Sequence, residues 1–156
     1  RVGNIINLFN GKAFKPSDWS VSGLPIVRIQ NLNNAEAPYH YYNGQIEERF
    51  YLKGGELLFS WSGTPGTSFG AHIWRNEKAV LNQHIFKLIF DMTKLNKKYL
   101  AEALDFRVLT LINEAHGSAG LRHITKKMFE ETIIPIPPLE EQKRIVNEIA
   151  YLYEYL

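Results

Sequence analysis

The sequence predicts an α+β fold in which the sheet-forming segments come first and the helices last. Two observations carry this. Up to residue 90 the apolar residues alternate with polar ones or run in short blocks between glycine-rich turns, as strands do. From Asn96 onward they recur every three or four residues, first in one long run and again after two adjacent prolines, as helix faces do.

Residues 24–32 (LPIVRIQNL) alternate Ile26 and its neighbours with Arg28 and Gln30, the pattern of a half-buried strand. Residues 46–52 and 56–61 read as two strands joined in a hairpin by Lys53-Gly54-Gly55. Residues 84–90 (HIFKLIF) are almost continuously apolar, which predicts a strand deep in a sheet. A mixed or antiparallel sheet follows from these segments.

Asn96 is a suitable N-cap for a helix that places Leu100, Ala103, Leu104, Val108, Leu111 and Ile112 on one face and stops at Gly117. Thr125 caps a short turn, KKMFEE, ahead of a strand-like stretch at 132–137. Pro137 and Pro138 then open a last helix with Glu140 and Glu141 near its positive end. Within it Leu139, Val146, Ile149, Tyr153 and Leu156 keep a heptad seam, flanked by Ile145 and Leu152, so this helix wants a partner. Eighteen residues at 139–156 would make a rod of roughly 27 Å.

With 156 residues, 45% of them hydrophobic, the chain can bury one sizeable core. It has no cysteine, which excludes disulfides and thiolate metal sites and suits a reducing, cytoplasmic location. No apolar run approaches the roughly 18 residues of a membrane span. Eighteen Lys+Arg against sixteen Asp+Glu give a net charge of +2, which permits an anionic partner and hardly favours one. The start at Arg1 and the helical pattern still running at the end read as a piece of a longer or processed protein.

The stretch SWSGTPGTSFGAHIWR, residues 60–75, is rich in glycine and hydroxyls. It is not a phosphate-binding P-loop, because no Lys-Ser/Thr pair follows its last glycine. Two readings stay open: a hairpin loop whose glycines meet backbone demands, or a loop at a DNA surface with Ser62, Thr64, Thr67 and Ser68 turned to phosphates. Arg28, Gln30, Asn31 and Asn33 have the chemistry of base readout, since Arg pairs with guanine and Asn or Gln with adenine; a solvated strand edge is the competing reading. Asn82 and Gln83 share that chemistry but suit buried backbone groups better. His116 to Lys127 sets Ser118, Arg122, His123, Lys126 and Lys127 beside glycines, as a phosphate clamp or a basic turn after a helix. Lys12 and Lys15 offer further backbone contacts. The three tryptophans are assigned to the core.

Catalysis finds no support. The five histidines lack the H-E-x-x-H spacing, and HGSAG lacks the leading glycine of a nucleophile elbow. No metal site and no catalytic residue is predicted.

At IPIPPLEEQKRIVNEI, residues 134–149, the chain resembles the specificity subunit of type I restriction-modification systems, whose target-recognition domain runs through a PLPPLEEQ(K/R)IV pattern into a long helix. GKAF, GLPIVRIQNL, GGELLFSWSGTPG, LNQHIFKL and HGSAGLRHITKKMFEETIIPIP agree in order, so the resemblance covers essentially the whole chain. It implies a target-recognition domain over 1–137 with a twisted, partly barrel-like sheet, and the start of a spacer helix over 138–156. It implies sequence recognition of double-stranded DNA without catalysis, directing adenine methylation by modification subunits and cleavage by a restriction subunit. S-adenosylmethionine, ATP and Mg would then belong to those partners. Members usually carry two such domains and two helices; a single one implies either a fragment or a half-subunit that dimerises along the seam and reads a palindromic, interrupted site. A helix-mediated assembly scaffold without base specificity is the alternative, and a hydrolase is a weaker one.

Overall fold

The computed structural model describes residues 1–34, 36–64, 67–114, 116–118 and 121–155; for residues 114, 116–118 and 121–122 it describes the backbone alone. The chain runs β1 (Ile6–Asn10), β2 (Leu24–Val27), α1 (Ile29–Asn33), β3 (His40–Tyr42), β4 (Tyr51–Leu52), β5 (Leu57–Ser60), β6 (Ser62–Gly63), β7 (Gly70–Ile73), β8 (Ala79–Leu81) and β9 (Ile85–Phe90). Then follow α2 (Lys97–Glu114), β10 (His116–Ser118), β11 (Leu121–His123), α3 (Lys126–Glu131) and α4 (Leu139–Tyr153).

An antiparallel sheet of order β1-β9-β5-β7 lies between two apolar layers. Leu57 pairs with Leu88 and Phe59 with Phe86, so these four share a face. That face packs with Leu100, Leu104, Leu111 and Ile112 of α2, Phe129 of α3, and Ile124. Leu58 and Ile85 turn to the other side and meet Val27, Leu52, Ala79 and Leu81 of a second sheet, of order β3-β2-β8-β4. Cover on both faces explains the near-continuous apolar run in β9. A third sheet, β10-β11-β6, is small. The three sheets are separate and do not close, so the partly barrel-like expectation is corrected.

Four other expectations give way to local chemistry. The strand over 24–32 ends at Val27, because the Asn31 Oδ1 accepts from the Arg28 N–H at 3.1 Å and turns the chain into α1. The hairpin over 46–61 does not form: β4 pairs with β8, whereas β5 belongs to the other sheet. Gly54 and Gly55, at φ +102° and +89°, carry the chain between layers while the Glu56 carboxylate accepts from the N–H groups of Lys53 and Gly54. Residues 132–137 pair with no strand among the described residues, as two of them are prolines without an N–H to give a ladder. The first long helix ends at Glu114, and Gly117 lies in β10 instead of capping it.

The helix starts follow the sequence. Asn96 Oδ1 accepts from the N–H groups of Lys98 and Tyr99 at 2.9 and 3.1 Å, and Thr125 Oγ1 accepts from Met128 N–H at 3.2 Å. Pro138 is the N-cap of α4, whose first turn holds Glu140 and Glu141. Its 15 residues make a rod of about 22 Å, shorter than the sequence pattern implies. Leu156 lies outside the described residues. No helix among the described residues is long and apolar enough to cross a membrane.

Candidate nucleic-acid interface

A short run of backbone links four segments at one end of the sheets. Gly11 N–H donates to Ile85 O at 3.2 Å and Lys12 N–H to Leu81 O at 2.8 Å. Asn82 N–H donates to Val27 O at 3.1 Å, and Trp61 N–H to His84 O at 3.3 Å. Residues 10–12, 27–28, 61–62 and 82–84 are therefore neighbours in space. The approach of residue 11 to residue 82 admits only glycine, since a Cβ on Gly11 would lie 2.0 Å from Asn82 O.

Two cations in this region are held by aromatic rings. The Lys12 ammonium sits 5.0 Å from the centre of the Tyr42 ring and 5.5 Å from that of Phe14, and its Nζ is 3.5 Å from the Tyr42 hydroxyl. That hydroxyl donates to Gln45 O at 3.0 Å. The Arg28 guanidinium lies 6.0 Å from the Trp19 ring, and Trp19 is stacked on His40 with ring centres 3.7 Å apart. Neither cation is paired with a carboxylate among the described residues, and the Arg28 Nε is buried without a hydrogen-bond partner. The other basic candidates differ. Lys126 and Lys127 reach Glu130 and Glu131 one helical turn on, at 3.6 and 4.0 Å. Such exposed pairs hold a cation weakly and leave it free to exchange partners.

Next to Lys12 lies a cluster around Trp61. Its indole N–H donates to Asn10 Oδ1 at 3.0 Å, and its ring centre lies 5.2 Å from His84 and 5.9 Å from His123. The Ser62 hydroxyl, buried, is 2.7 Å from His123 Nδ1, so it fixes that imidazole and does not face outward itself. Gln83 Nε2 is 3.1 Å from His84 Nε2. Burial and then the nearby His123 push His84 below the usual histidine range, which keeps it neutral near pH 7.

The remaining candidates scatter. Asn31 is 5% exposed and its amide is used up: Oδ1 accepts from Arg28, and Nδ2 donates to Ala37 O and Pro38 O at 3.1 and 3.3 Å. It builds the α1 turn and is withdrawn from base readout. Gln30 and Asn33 are exposed on α1. Thr64, Thr67 and Ser68 bond to one another's backbone and hydroxyls, as in a self-contained turn. Lys15 is exposed and starts a 3-10 turn, its N–H donating to Asp18 at 2.7 Å. The side chains of Ser118 and Arg122 lie outside the described residues, although their strands pair with each other and β11 with β6. Asn82 turns its Oδ1 to the N–H of Gln83 at 2.6 Å. Of the tryptophans, Trp74 is core, with its N–H on Glu77 O, but Trp19 is 39% exposed. The Trp19, His40, Tyr42 and Phe14 partnerships were invisible in the sequence, because each joins segments that only the fold brings together.

A family model described as "Type I restriction modification DNA specificity domain" matches residues 1–154. The chain is 32% identical to the type I restriction enzyme EcoBI specificity subunit of Escherichia coli over 97% of this chain and 31% of the relative. It is 27% identical to the MjaVIII specificity subunit of Methanocaldococcus jannaschii over 96% of this chain and 34% of that one. The chain thus spans about a third of these relatives. The fold is similar to that of the HsdS subunit from Thermoanaerobacter tengcongensis, with a TM-score of 0.71 at 20% identity, covering 99% of this chain and 37% of the other. A type I S subunit from M. genitalium gives 0.68 at 16% identity, over 98% of this chain and 38% of the other.

Proposed function

The chain belongs to the type I restriction-modification DNA specificity domain family, and from that premise we propose that it is a DNA target-recognition domain. In this reading it selects a base sequence in double-stranded DNA and leaves chemistry to others. Modification subunits, supplied with S-adenosylmethionine, methylate adenine, and a restriction subunit with ATP and Mg cleaves. Residues 138–156 begin the spacer through which a second specificity domain, or a second copy, is joined.

The observation that carries the reading is the region around Lys12 and Arg28. Its cations are oriented by aromatic rings and, among the described residues, left without carboxylates, so their charge is available to phosphate or to a base edge. Gln30 is exposed beside Arg28 and supplies a second base-reading group.

The test is to combine the protein with its modification subunits, incubate with genomic DNA and map methylated adenines. A defined motif that changes with Arg28→Ala and Gln30→Ala supports recognition by this region. An unchanged motif in both variants points instead to a helix-mediated scaffold, a reading favoured by the exposed Leu152 and Tyr153 on α4.

A further inference from the structure

Gln142, in the first turn of α4, is fully buried and every polar atom of its side chain is used. Its Oε1 accepts from Asn96 N–H at 2.8 Å. Its Nε2 donates to Lys94 O at 2.9 Å and to Pro137 O at 2.8 Å. One amide therefore ties three segments: the turn after β9, the cap of α2, and the proline lead-in to α4. A second tie runs from the Tyr99 hydroxyl to Pro135 O at 3.0 Å.

Beyond this turn α4 touches the body lightly. Ile145 and Ile149 are half-buried and line a cleft with Tyr99, Ala103 and Phe106 of α2, and Tyr153 is 68% exposed. A helix held by two or three half-buried contacts can swing unless its first turn is clamped. The Gln142 bonds to Lys94 and Asn96 flank the buried Leu95, so Gln142 joins the first turn of α4 to the body at one point.

We propose that Gln142 is a positioning residue that fixes the direction in which α4 leaves the domain, and thereby the separation between this recognition face and the second face joined through α4. The separation half rests on the function proposed above; the clamp half does not.

The chain has no cysteine, so Lys78→Cys and Glu148→Cys, both at exposed positions, can carry spin labels in the intact protein without DNA. The parent should give a single narrow distance between them, lost in Gln142→Ala. Gln142→Glu adds a sharper reading. Burial and the two facing carbonyls push its carboxyl above the ordinary glutamate value, so at low pH the protonated side chain supplies one donor and keeps the distance narrow, and ionisation as pH is raised loses it. The parent at the same low pH is the control. An equally narrow distance in Gln142→Ala overturns the proposal, as does loss of the near-ultraviolet signal of the folded body, which would make Gln142 a core residue. In the assembled methyltransferase, Gln142→Ala should relax the length of gap tolerated between half-sites. If the labels respond and the gap does not, the clamp stands and the link to spacing fails.

Discussion

The Asp105 carboxylate on α2 accepts a hydrogen bond from the Ala71 N–H on the edge strand β7 at 2.7 Å. Burial pushes its pKa up to about 6, with Glu102 adding to the effect and the Ala71 bond opposing it. Because the folded state holds its proton more tightly than the unfolded one, the native protein binds more protons between the ordinary value of 3.8 and about 6. Stability is therefore lost as pH rises through that window. Asp105→Asn keeps an acceptor for Ala71 and removes the ionisation. It should stabilise the protein at pH 7–8 by about 1 kcal/mol, after allowance for screening of a partly exposed group, and change little at pH 4. Melting curves from pH 4 to 8 check this, and parallel curves for the two proteins would exclude it.

Arg28 has its Nε buried and its guanidinium held over the Trp19 ring, with no carboxylate partner among the described residues, so its terminal NH2 groups are the ones that can meet a base. Arg28→Ala should cost about 1–3 kcal/mol of DNA affinity and relax base preference at one position of the motif. Binding measured against a panel of single-base variants separates this from a uniform loss, which would make Arg28 a phosphate contact.

Salt dependence sorts the lysines. Lys12→Gln should reduce the slope of log affinity against log salt by about one, uniformly across sequences. Lys126→Gln should reduce it less, since that ammonium already shares Glu130. Titrations at several ionic strengths decide, and equal slopes for the Lys12 variant and the parent would take Lys12 out of the interface.

Gly11→Ala should destabilise the fold by at least about 2 kcal/mol, because a methyl group 2.0 Å from Asn82 O forces residues 10–12 away from β8. Urea unfolding measures it. A change below the error of the midpoint would mean that the two segments separate without cost.

On α4, Ile149→Asp puts a charge at a half-buried position in the cleft beside α2 and should lower the melting temperature, whereas Leu152→Asp, at a 56% exposed position, should leave it unchanged. If the exposed side of α4 joins a partner helix, only sedimentation of the assembled protein will register the Leu152 change. A monomeric parent would remove that expectation.

The sequence disclosed what depends on neighbours along the chain. Asn96 and Thr125 cap the helices they precede, Pro138 marks the start of α4, and β9 is the buried strand its apolar run implies. It failed where distant groups overrule local pattern. The alternation over 46–52 suits a strand, yet Glu48–Phe50 is a 3-10 turn whose end is held by the buried Lys87 ammonium on the carbonyls of Arg49 and Tyr51, a partner 36 residues away or more. Asn31 has base-reading chemistry and spends it inside its own turn. Trp19 looked like core because nothing nearby in sequence announces His40 as its stacking partner.

The edge strand β1 finds its place only beside β9, with Ile6 opposite Phe90. A loop of about 80 residues must close before that pairing is made, which is slow relative to local hairpins. Gly11 and Lys12 continue directly from Asn10 at the end of β1, and Asn82 to His84 lead directly into β9, so this late closure also assembles the region proposed to meet DNA. During synthesis β1 waits unpaired until β9 has been made. A chain cut short before β9 then lacks the strand on which β1, and through it residues 10–12, is seated.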